Sequence, residues 1–478
     1  MKRALLVLAG VVATLLWVWY LASPDPVRNQ AMATAVKRKA DNPKARQDRP
    51  HVDHAPFFKA PVATAQEVTT KCLSCHKDAA AQVMKTPHWL WLSGDVQRDG
   101  KLVRTGKRNL MNNFCISVNG NWTTCTKCHA GYGWGKKDYD FTKSENVDCL
   151  VCHDGSGTYT KGNLGLPPKK VDLALVAGSV RMPRRENCGS CHFNGGGGMG
   201  VKHGDLDDSL INPMENIDVH MGRLDFTCVD CHKTQEHLIA GKFNTTYTDA
   251  TRTIRFDCMD CHSQTPHGDA QLNNHVRRIA CQTCHIPRYA RKYPTKMTWD
   301  WSQAGNFNRN EDQHEYLIIK GEFKYDQGVT PEYRWYTGRM ERYVMGDRIP
   351  GASIDLNQPL GSRNDPNAKI WPFKIHRGKQ IYDPVNKVLI PPITSGEGGF
   401  WSDFDWKFAA EKGMEVAGLP YSGKFGFIPT QMYWPINHMT APAKQALSCN
   451  RCHTKNSLMD WKVLGYEGDP LGGKADVK

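Results

Sequence analysis

Sixteen of the seventeen cysteines in this chain occur in one pattern, C-x-x-C-H, with Cys115 left over. The eight copies are Cys72/Cys75/His76, Cys125/Cys128/His129, Cys149/Cys152/His153, Cys188/Cys191/His192, Cys228/Cys231/His232, Cys258/Cys261/His262, Cys281/Cys284/His285 and Cys449/Cys452/His453. Two thiols at this spacing reach both vinyl groups of a haem, and the adjacent imidazole lies beneath the iron. Zinc sites and disulfide frameworks also use C-x-x-C, but neither needs a histidine after every second cysteine. The pattern therefore predicts eight covalently bound haems c.

Histidines outside the motifs are candidates for the opposite axial position. Several lie close to a motif in the sequence, as His237 does five residues after His232, and others have aromatic or methionine neighbours suited to a haem face. The predicted distal ligands are His54, His88, His220, His237, His267, His275 and His438. His314 and His376 are interpreted as ordinary polar residues. The histidine count permits a fully six-coordinate set of irons, so it does not by itself predict an open catalytic iron.

A glycine-rich stretch from Asn194 to Asp205, NGGGGMGVKHGD, presents two further candidate ligands. Its glycines allow the backbone to approach a flat ligand closely, and Lys202 and His203 come at its end. A deprotonated lysine can bind iron, although most lysines are solvated surface charges. Cys115 is interpreted as a buried free thiol unless it faces a substrate pocket.

The formal charge of +14 would alone suggest a nucleic-acid partner. Eight haems bring about sixteen propionate charges, which would leave the holoprotein nearly neutral. No basic stripe interleaved with aromatic residues is present in the sequence. We therefore expect no nucleic-acid partner, and we interpret the cations as partners of propionates and guides for a small anionic substrate.

The chain begins with two basic residues and an uncharged run that extends to Ala22, long enough to span a bilayer. Residues 1–22 are predicted to be an export signal, either retained as a membrane anchor or cleaved, with the anchor favoured. Residues 23–50 are rich in Pro, Ala, Lys and Arg and are predicted to be a flexible basic linker. Because c-type haem is attached after translocation, the body is expected in the periplasm, tethered to the inner membrane or soluble after cleavage.

The body is predicted to have two lobes, a haem-rich one with seven haem sites at 51–290 and an aromatic-rich one with the eighth at 291–478. Haems supply the buried apolar surface, so the fold class is predicted as mainly α with much irregular structure, organised around packed haems, with little β-sheet. Aromatic residues at helical spacing predict an amphipathic helix over 401–414, either packed on the haems or buried as ordinary core.

Several longer segments resemble the octahaem tetrathionate reductases, which are related to hydroxylamine oxidoreductase and pentahaem nitrite reductase. The segments that carry the resemblance are TPHWLWLSG, CTKCHAGYGWGKKDYDF, VDCLVCHDGSGTY, VKHGDLD, DVHMG and WPINHMTAPAKQALSCNRCH. The resemblance implies seven bis-histidine haems and a catalytic second haem with an unusual lysine ligand, which matches Lys202. It leaves open whether His129 remains on that iron. It also implies that Cys115 is the unpaired cysteine of the active site.

The resemblance implies a multi-electron reductase of small nitrogen or sulfur oxyanions such as tetrathionate and nitrite, or of hydroxylamine. His203 and Asp205 are the candidates for proton delivery beside Lys202 and Cys115. The electron donor is expected to be a quinol-oxidising protein or a periplasmic cytochrome. Two alternatives remain, namely a membrane-tethered electron conduit in which every haem has two histidine ligands, and an enzyme that works in the oxidative direction.

Overall fold

The computed structural model describes residues 52–92, 94–98, 100–113, 117–241 and 256–472. The predicted anchor at 1–22, the linker at 23–50 and Cys115 lie outside the described residues. Contacts between Cα atoms divide the described chain into a small unit, 257–277, and a large unit that contains the rest. Within these ranges, no helix has both the length and the apolar character needed to cross a membrane.

The helices are short, and half of the α-helices in the described residues contain or end at an attachment motif. The α-helices are α1 (Ala65–Cys75), α2 (Ala79–Val83), α3 (Pro87–Leu90), α4 (Trp122–Cys125), α5 (Leu150–His153), α6 (Leu173–Gly178), α7 (Arg185–His192), α8 (Cys228–Cys231), α9 (Ala270–His275), α10 (Cys281–His285), α11 (Phe400–Asp403) and α12 (Trp406–Ala417). Single turns of other helix types are Ala55–Phe58, Thr126–Cys128, Ser144–Asn146, Asn163–Gly165, Asp208–Leu210, Val219–Arg223, Cys258–Asp260, Trp301–Gln303, Ala443–Gln445 and Cys449–Arg451. Short helices at the motifs with irregular connections are what the sequence predicts.

The sixth motif lies in the small unit, 257–277. Its helical turn, Cys258–Asp260, ends before the second cysteine, as the turn Cys449–Arg451 does in the eighth motif. Cys261, with a φ of −125°, has left the helical conformation. Bonds between near neighbours, such as that from the N–H of His262 to the carbonyl oxygen of Cys258 at 2.9 Å, hold this short segment together.

Strands occur mainly after the seventh motif. They are β1 (Gly94–Arg98), β2 (Lys101–Thr105), β3 (Thr234–Gln235), β4 (Leu238–Ile239), β5 (Thr295–Asp300), β6 (Tyr316–Leu317), β7 (Gly321–Asp326), β8 (Glu332–Tyr336), β9 (Met340–Arg342), β10 (Ile354–Pro359), β11 (Lys369–Asp383), β12 (Val388–Leu389) and β13 (Gly426–Pro435). The first four form two hairpins, β1–β2 and β3–β4.

The other nine strands form one sheet, so the prediction of little β-sheet does not hold for 295–435. The order along the sheet is β6-β7-β5-β11-β13-β10-β9, and β8 and β12 also pair with β11. The long strand β11 is antiparallel to β13 and parallel to β5. Several apolar clusters pack on this sheet, and one of them joins Val201 and Met111 to Met432 and Trp434 of β13. Aromatic and aliphatic side chains therefore supply part of the core that the sequence reasoning assigned to haem.

The helical segment predicted over 401–414 is divided into α11 and α12 by Phe404, which has a φ of 53°. Asp405 caps α12 by accepting hydrogen bonds from the N–H groups of Lys407 and Phe408. The buried face of α12 includes Ala410 and Met414, which pack with aliphatic residues of the sheet region. This helix therefore belongs to the ordinary apolar core, the second of the two interpretations of its aromatic pattern.

Candidate functional site

Four pairs of histidines in the large unit lie at the separation that one haem iron requires. The distances between ring centres are 6.3 Å for His54 and His76, 6.2 Å for His88 and His192, 6.5 Å for His153 and His237, and 6.2 Å for His232 and His438. Two imidazoles on opposite sides of one iron have centres about 6 Å apart, because each metal–nitrogen bond is about 2 Å long. Each pair joins a motif histidine to one of the predicted distal histidines. These residues fit haems with two histidine ligands.

Several of these imidazoles have their Nδ1 atom occupied by the protein. His153 and His232 hydrogen-bond through Nδ1 to the carbonyl oxygens of Arg181 at 2.9 Å and Ala240 at 2.8 Å. The same atom of His237 lies 2.8 Å from the side-chain oxygen of Gln82. A carbonyl or amide oxygen only accepts, so Nδ1 must carry the proton in each case. Nε2 is then left with its lone pair, which is the tautomer that an iron ligand needs.

His129 has the opposite arrangement. Its Nε2 atom lies 2.6 Å from the carbonyl oxygen of Trp89 and must donate to it, whereas its Nδ1 atom is buried without a hydrogen-bond partner. The backbone differs as well, because its N–H donates to the carbonyl oxygen of Thr126. In five other motifs, those of His76 and His262 among them, this N–H donates to the first cysteine. The second motif therefore has the usual sequence but directs its imidazole away from the usual position.

An aromatic enclosure surrounds the His129 ring, which is 1% exposed. The centres of five aromatic rings lie within 6.0 Å of its own, those of Trp89, Trp91, Trp134, Tyr139 and Phe141. Burial and the nearby cations Lys161, Lys107 and Arg108 together lower the pKa of this imidazole to about 3. His129 is therefore a neutral side chain packed among aromatic rings, and its Nε2 atom is occupied by the protein.

The glycine-rich loop that carries Lys202 is packed tightly against the chain that follows the seventh motif. Gly200 has a φ of 67°, and a Cβ atom there would lie 2.5 Å from the carbonyl oxygen of Pro294. A Cβ on Gly204 would lie 2.4 Å from the ring of Tyr289. Only glycine fits both positions, so these residues fix the backbone on either side of Lys202.

The sheet supports this loop through a buried lysine that the sequence reasoning did not identify. Nζ of Lys374, on β11, donates to the carbonyl oxygens of Val201 at 3.0 Å and Lys202 at 3.2 Å, and to the hydroxyl of Thr295 at 2.7 Å. Lys374 is fully buried, which lowers its pKa to about 7. Directly across the sheet, Trp434 of β13 lies opposite Lys374. The side-chain amine of Lys202 lies 5.0 Å above its ring.

The amine of Lys202 lies close to the second motif and in a region of positive charge. Burial lowers its pKa to about 8, with Lys107 lowering it and the Cys128 thiol raising it. A lowered pKa increases the neutral fraction, which is the form that can bind a metal ion. Lys107, Lys202 and Lys127 are also the charged groups that act on Cys128. The site can therefore provide a lysine ligand and attract an anion.

Contacts between cysteines show which motifs are neighbours. Cys191 of the fourth motif lies beside Cys128 of the second. Cys188, also in the fourth motif, lies beside Cys228 of the fifth. The fourth motif therefore lies between the second and the fifth. The first and third motifs are joined in the same way by Cys72 and Cys149.

Two of the residues predicted for catalysis have different surroundings. His203 packs its ring on Trp434, with 5.0 Å between ring centres, and burial beside Lys202 lowers its pKa well below the usual value. Asp205 instead accepts hydrogen bonds from the backbone of Asn437 and from His438. Its hydrogen bonds are therefore directed to a predicted haem ligand and not to the amine of Lys202.

The segment that leads to Cys115 packs on the same sheet as the lysine loop. The amide of Asn113 donates to the carbonyl oxygen of His376 at 2.7 Å, and that of Gln380 donates to the carbonyl oxygen of Asn112 at 2.8 Å. His376, interpreted from sequence as an ordinary polar residue, is fully buried with Nδ1 3.1 Å from the side-chain oxygen of Asn113. The sheet therefore supports the described residues next to Cys115 as well as the lysine loop.

The remaining predicted distal histidines occupy two regions. His220 begins the turn Val219–Arg223, whose N-terminus is capped by Asp218. His267 and His275 lie in the small unit together with the sixth motif. There, Asn273 joins α9 to the backbone of His267 through hydrogen bonds of 3.0 and 2.7 Å.

The attachment residues of the sixth motif keep the role predicted from sequence as an expectation. Cys261 and His262 are both half-buried, and the four histidine pairs described above do not include His262. The turn that carries Cys258 is capped by Asp257, which accepts a hydrogen bond from the N–H of Met259 at 3.0 Å. Attachment of a haem to Cys258 and Cys261, with His262 on its iron, therefore remains a prediction from the motif.

Comparisons with known proteins agree with the haem motifs and the fold. A family model described as "Cytochrome c bacterial" matches residues 296–456. An uncharacterized protein of Archaeoglobus fulgidus is 25% identical over 39% of this chain and 80% of its own length. The crystal structure of an octaheme cytochrome c from Shewanella oneidensis is 45% identical, with a TM-score of 0.82, and covers 88% of this chain and 98% of its own.

Proposed function

Because the chain belongs to the octahaem cytochromes c, in which haem is covalently bound, we propose that it is a multi-electron reductase with eight haems c. Its substrate is a small nitrogen or sulfur compound such as tetrathionate, nitrite or hydroxylamine. Cys125 and Cys128 would hold the haem at which the substrate is reduced, and Lys202 would bind its iron. The observation that carries this proposal is the hydrogen bond from Nε2 of His129 to the protein, which withdraws the motif histidine from the iron.

The other seven haems act as a reservoir and a path for electrons, each with two histidine ligands. The four pairs of histidines described above support this assignment for four of the haems. His220, His267 and His275 are the distal ligands that we propose for the remaining motifs. Reduction of an oxyanion needs several electrons, and a set of reduced haems can deliver them before partly reduced products leave.

Positive side chains bind and orient the anion. The haem supplies electrons and an iron atom that binds the substrate. Lys107 and Arg108 lie over the rings of Trp91 and Phe141, at 4.1 and 4.2 Å, and they are charged groups near the second motif. Such cations raise the local concentration of an anionic substrate and stabilise it in place.

Proton transfer and sulfur chemistry are assigned to two residues near Lys202. We assign proton transfer to His203, whose imidazole packs on Trp434 beside Lys202. Cys115 follows Asn113, which is buried on the sheet. We assign its thiol to the substrate side of the same haem.

The compartment and the partners follow from the mode of haem attachment. We propose that the protein works in the periplasm, where c-type haem is attached, and that residues 1–22 tether it to the inner membrane. A quinol-oxidising protein or a periplasmic cytochrome supplies the electrons. The net charge is neutralised by haem propionates, so nucleic acid is not a partner.

Replacing Lys202 tests the lysine-ligated site. Lys202→Gln removes the amine and keeps a side chain of similar length, and we expect at least about a hundredfold loss of viologen-driven turnover of nitrite, hydroxylamine and tetrathionate. The electron paramagnetic resonance (EPR) spectrum should change for one haem only. Lys77→Gln is the matched control, since Lys77 is an exposed lysine directly after the first motif. It should keep both the spectrum and the turnover of the natural protein.

Two results would contradict the proposal. The first is that Lys202→Gln has unchanged turnover while mass spectrometry counts eight haems. The second is that all eight irons of the natural protein are low-spin with two histidine ligands and no substrate draws electrons. The chain would then be a conduit that passes electrons to partner proteins.

A further inference from the structure

The carboxylate of Asp205 is one of the most enclosed charged groups in the described chain, with a side chain that is 2% exposed. Its Oδ2 atom accepts three hydrogen bonds, from the backbone N–H of Asn437 at 2.7 Å, the backbone N–H of His438 at 3.0 Å and Nδ1–H of His438 at 3.1 Å. An oxygen that accepts three N–H donors cannot itself carry a proton. His438 therefore shares its ring proton with a full negative charge.

Three other imidazoles of the same kind bond to neutral oxygens. Carbonyl oxygens accept from His153 and His232, and the amide of Gln82 accepts from His237. A carboxylate is a much stronger acceptor than a carbonyl or amide oxygen and draws the proton further from Nδ1. Nε2 of His438 is consequently the more basic donor, and the centre of its ring lies 6.2 Å from that of His232, the motif histidine of the fifth haem.

We propose that Asp205, acting through His438, lowers the reduction potential of the haem attached to Cys228 and Cys231. A more basic ligand stabilises ferric iron more than ferrous iron, since the ferric ion carries the greater positive charge. Asp205 is thus a positioning residue that tunes this haem, in place of the proton-delivery role expected from sequence. The inference rests on the proposed ligation of the fifth haem by two histidines and is independent of the substrate.

The fifth motif lies where the potential of its haem would affect electron transfer towards the second. The contacts of Cys188 with Cys228 and of Cys191 with Cys128 order the motifs as fifth, fourth and second. Oxidation of the fifth iron from ferrous to ferric releases one electron, which reduces the fourth iron and then the second, and no bond breaks. A lower potential at the fifth haem makes the first of these transfers more favourable.

A second carboxylate is placed in the same way at the eighth motif. Oδ1 of Asp469 lies 2.7 Å from Nδ1 of His453, and the two side chains are each 9% exposed. The same reasoning predicts a lowered potential for the haem attached to Cys449 and Cys452. Asp469 therefore provides an independent instance of the effect.

Removal of the charge at constant shape is the first test. Asp205→Asn keeps an oxygen that accepts from His438 but carries no charge, so a purely structural role would leave the potentials unchanged. We expect one haem of the holoprotein to shift to a more positive midpoint potential in a titration followed by EPR and absorption spectroscopy. Asp469→Asn should shift a different haem in the same direction. Substrate is absent throughout, so the result does not depend on the proposed reductase activity.

Addition of a charge is the reciprocal test. Gln82→Glu places a carboxylate on Nδ1 of His237, and at pH 8, where the new side chain is ionised, we expect a more negative potential for the third haem. The inference is overturned if Asp205→Asn retains eight haems by mass spectrometry and all its potentials are unchanged. If Asp205→Asn fails to retain its haems, the potential of the third haem in Gln82→Glu tests the inference instead. A negative shift then supports the inference, and an unchanged potential overturns it.

Discussion

Nε2 of His129 donates a hydrogen bond to the carbonyl oxygen of Trp89, 2.6 Å away. In other motif histidines whose rings bond to a carbonyl oxygen, such as His153 and His232, it is Nδ1 that makes the bond. The reversal concerns a histidine whose sequence context is the same as in every other motif. It therefore separates two tasks of the motif, attachment of the macrocycle and ligation of its iron.

Replacement of His129 should leave the irons as they are. His129→Gln removes a ring that bonds to Trp89, so we expect no new high-spin signal in the EPR spectrum once mass spectrometry has established eight haems. His153→Gln is the matched comparison, because His153 faces His237 and its loss should leave one iron five-coordinate and high-spin. A high-spin signal that appears in His129→Gln with all haems attached would show that His129 is a ligand of the iron.

Lys374 should be needed for the stability of the lysine loop. Lys374→Met leaves three buried acceptors without their donor, and we expect the free energy of unfolding to fall by about 2–4 kcal/mol in guanidinium titrations followed by circular dichroism. Turnover should fall as well, because Lys202 loses the support of its backbone. Lys379→Met, on the same strand, is the control. Its side chain is 43% exposed and lies 3.8 Å from Asp300, so its removal should change stability by less than about 0.5 kcal/mol.

The buried ion pair of Asp148 with Lys161 should stabilise the folded protein around the second and third motifs. The two side chains are 0% and 4% exposed, and the hydroxyl groups of Tyr132 and Tyr159 also donate to the carboxylate. Asp148→Asn leaves the ammonium of Lys161 buried without its counter-charge, which should lower the free energy of unfolding by about 3–5 kcal/mol.

An exposed pair of the same composition serves as the control for Asp148→Asn. Lys136 and Asp138 are 3.2 Å apart, and each side chain is 74% exposed. Asp138→Asn should therefore cost no more than about 1 kcal/mol, because water screens such pairs. Equal losses in the two variants, measured by thermal unfolding, would show that burial of the Asp148 pair has no energetic importance.

The attachment motifs could be predicted because each is a local pattern of five residues. The partner of each imidazole could not be predicted with the same ease, because it comes from a distant part of the chain. His438 and His232, for example, are brought together only by the tertiary fold. The five letters of the motif do not predict the reversed orientation of the His129 ring, because the aromatic residues that enclose this ring lie before and after the motif.

The sixth motif shows the same limit at the level of the backbone. Its five letters are those of the other motifs, yet its turn ends at Asp260 and leaves Cys261 and His262 outside. Asp257 and Asp260 both cap the N-terminal end of the turn, and such caps depend on residues that the motif itself does not specify. The motif therefore predicts the attachment chemistry but not the local conformation or the unit to which it belongs.

The sheet was missed because its central strand lacks the alternation that marks a strand with one exposed face. Strand β11 is largely buried on both faces, and the buried positions include Lys374 and His376. Because these residues are charged or polar, the strand lacks the continuous apolar run by which a buried strand is predicted. The polar atoms of these two residues bond to the lysine loop and to Asn113, so the feature that hid the strand is the one that supports the site.

The contacts of Lys374 have a consequence for biosynthesis. Thr295 and Lys374, which hold the loop of Lys202, both follow the first seven attachment motifs in the chain. A nascent chain that crosses the membrane from its N-terminus therefore exposes Cys125 and Cys128 long before the residues that fix the lysine have emerged. The geometry of the second haem site is completed late, when most of the polypeptide has already been exported.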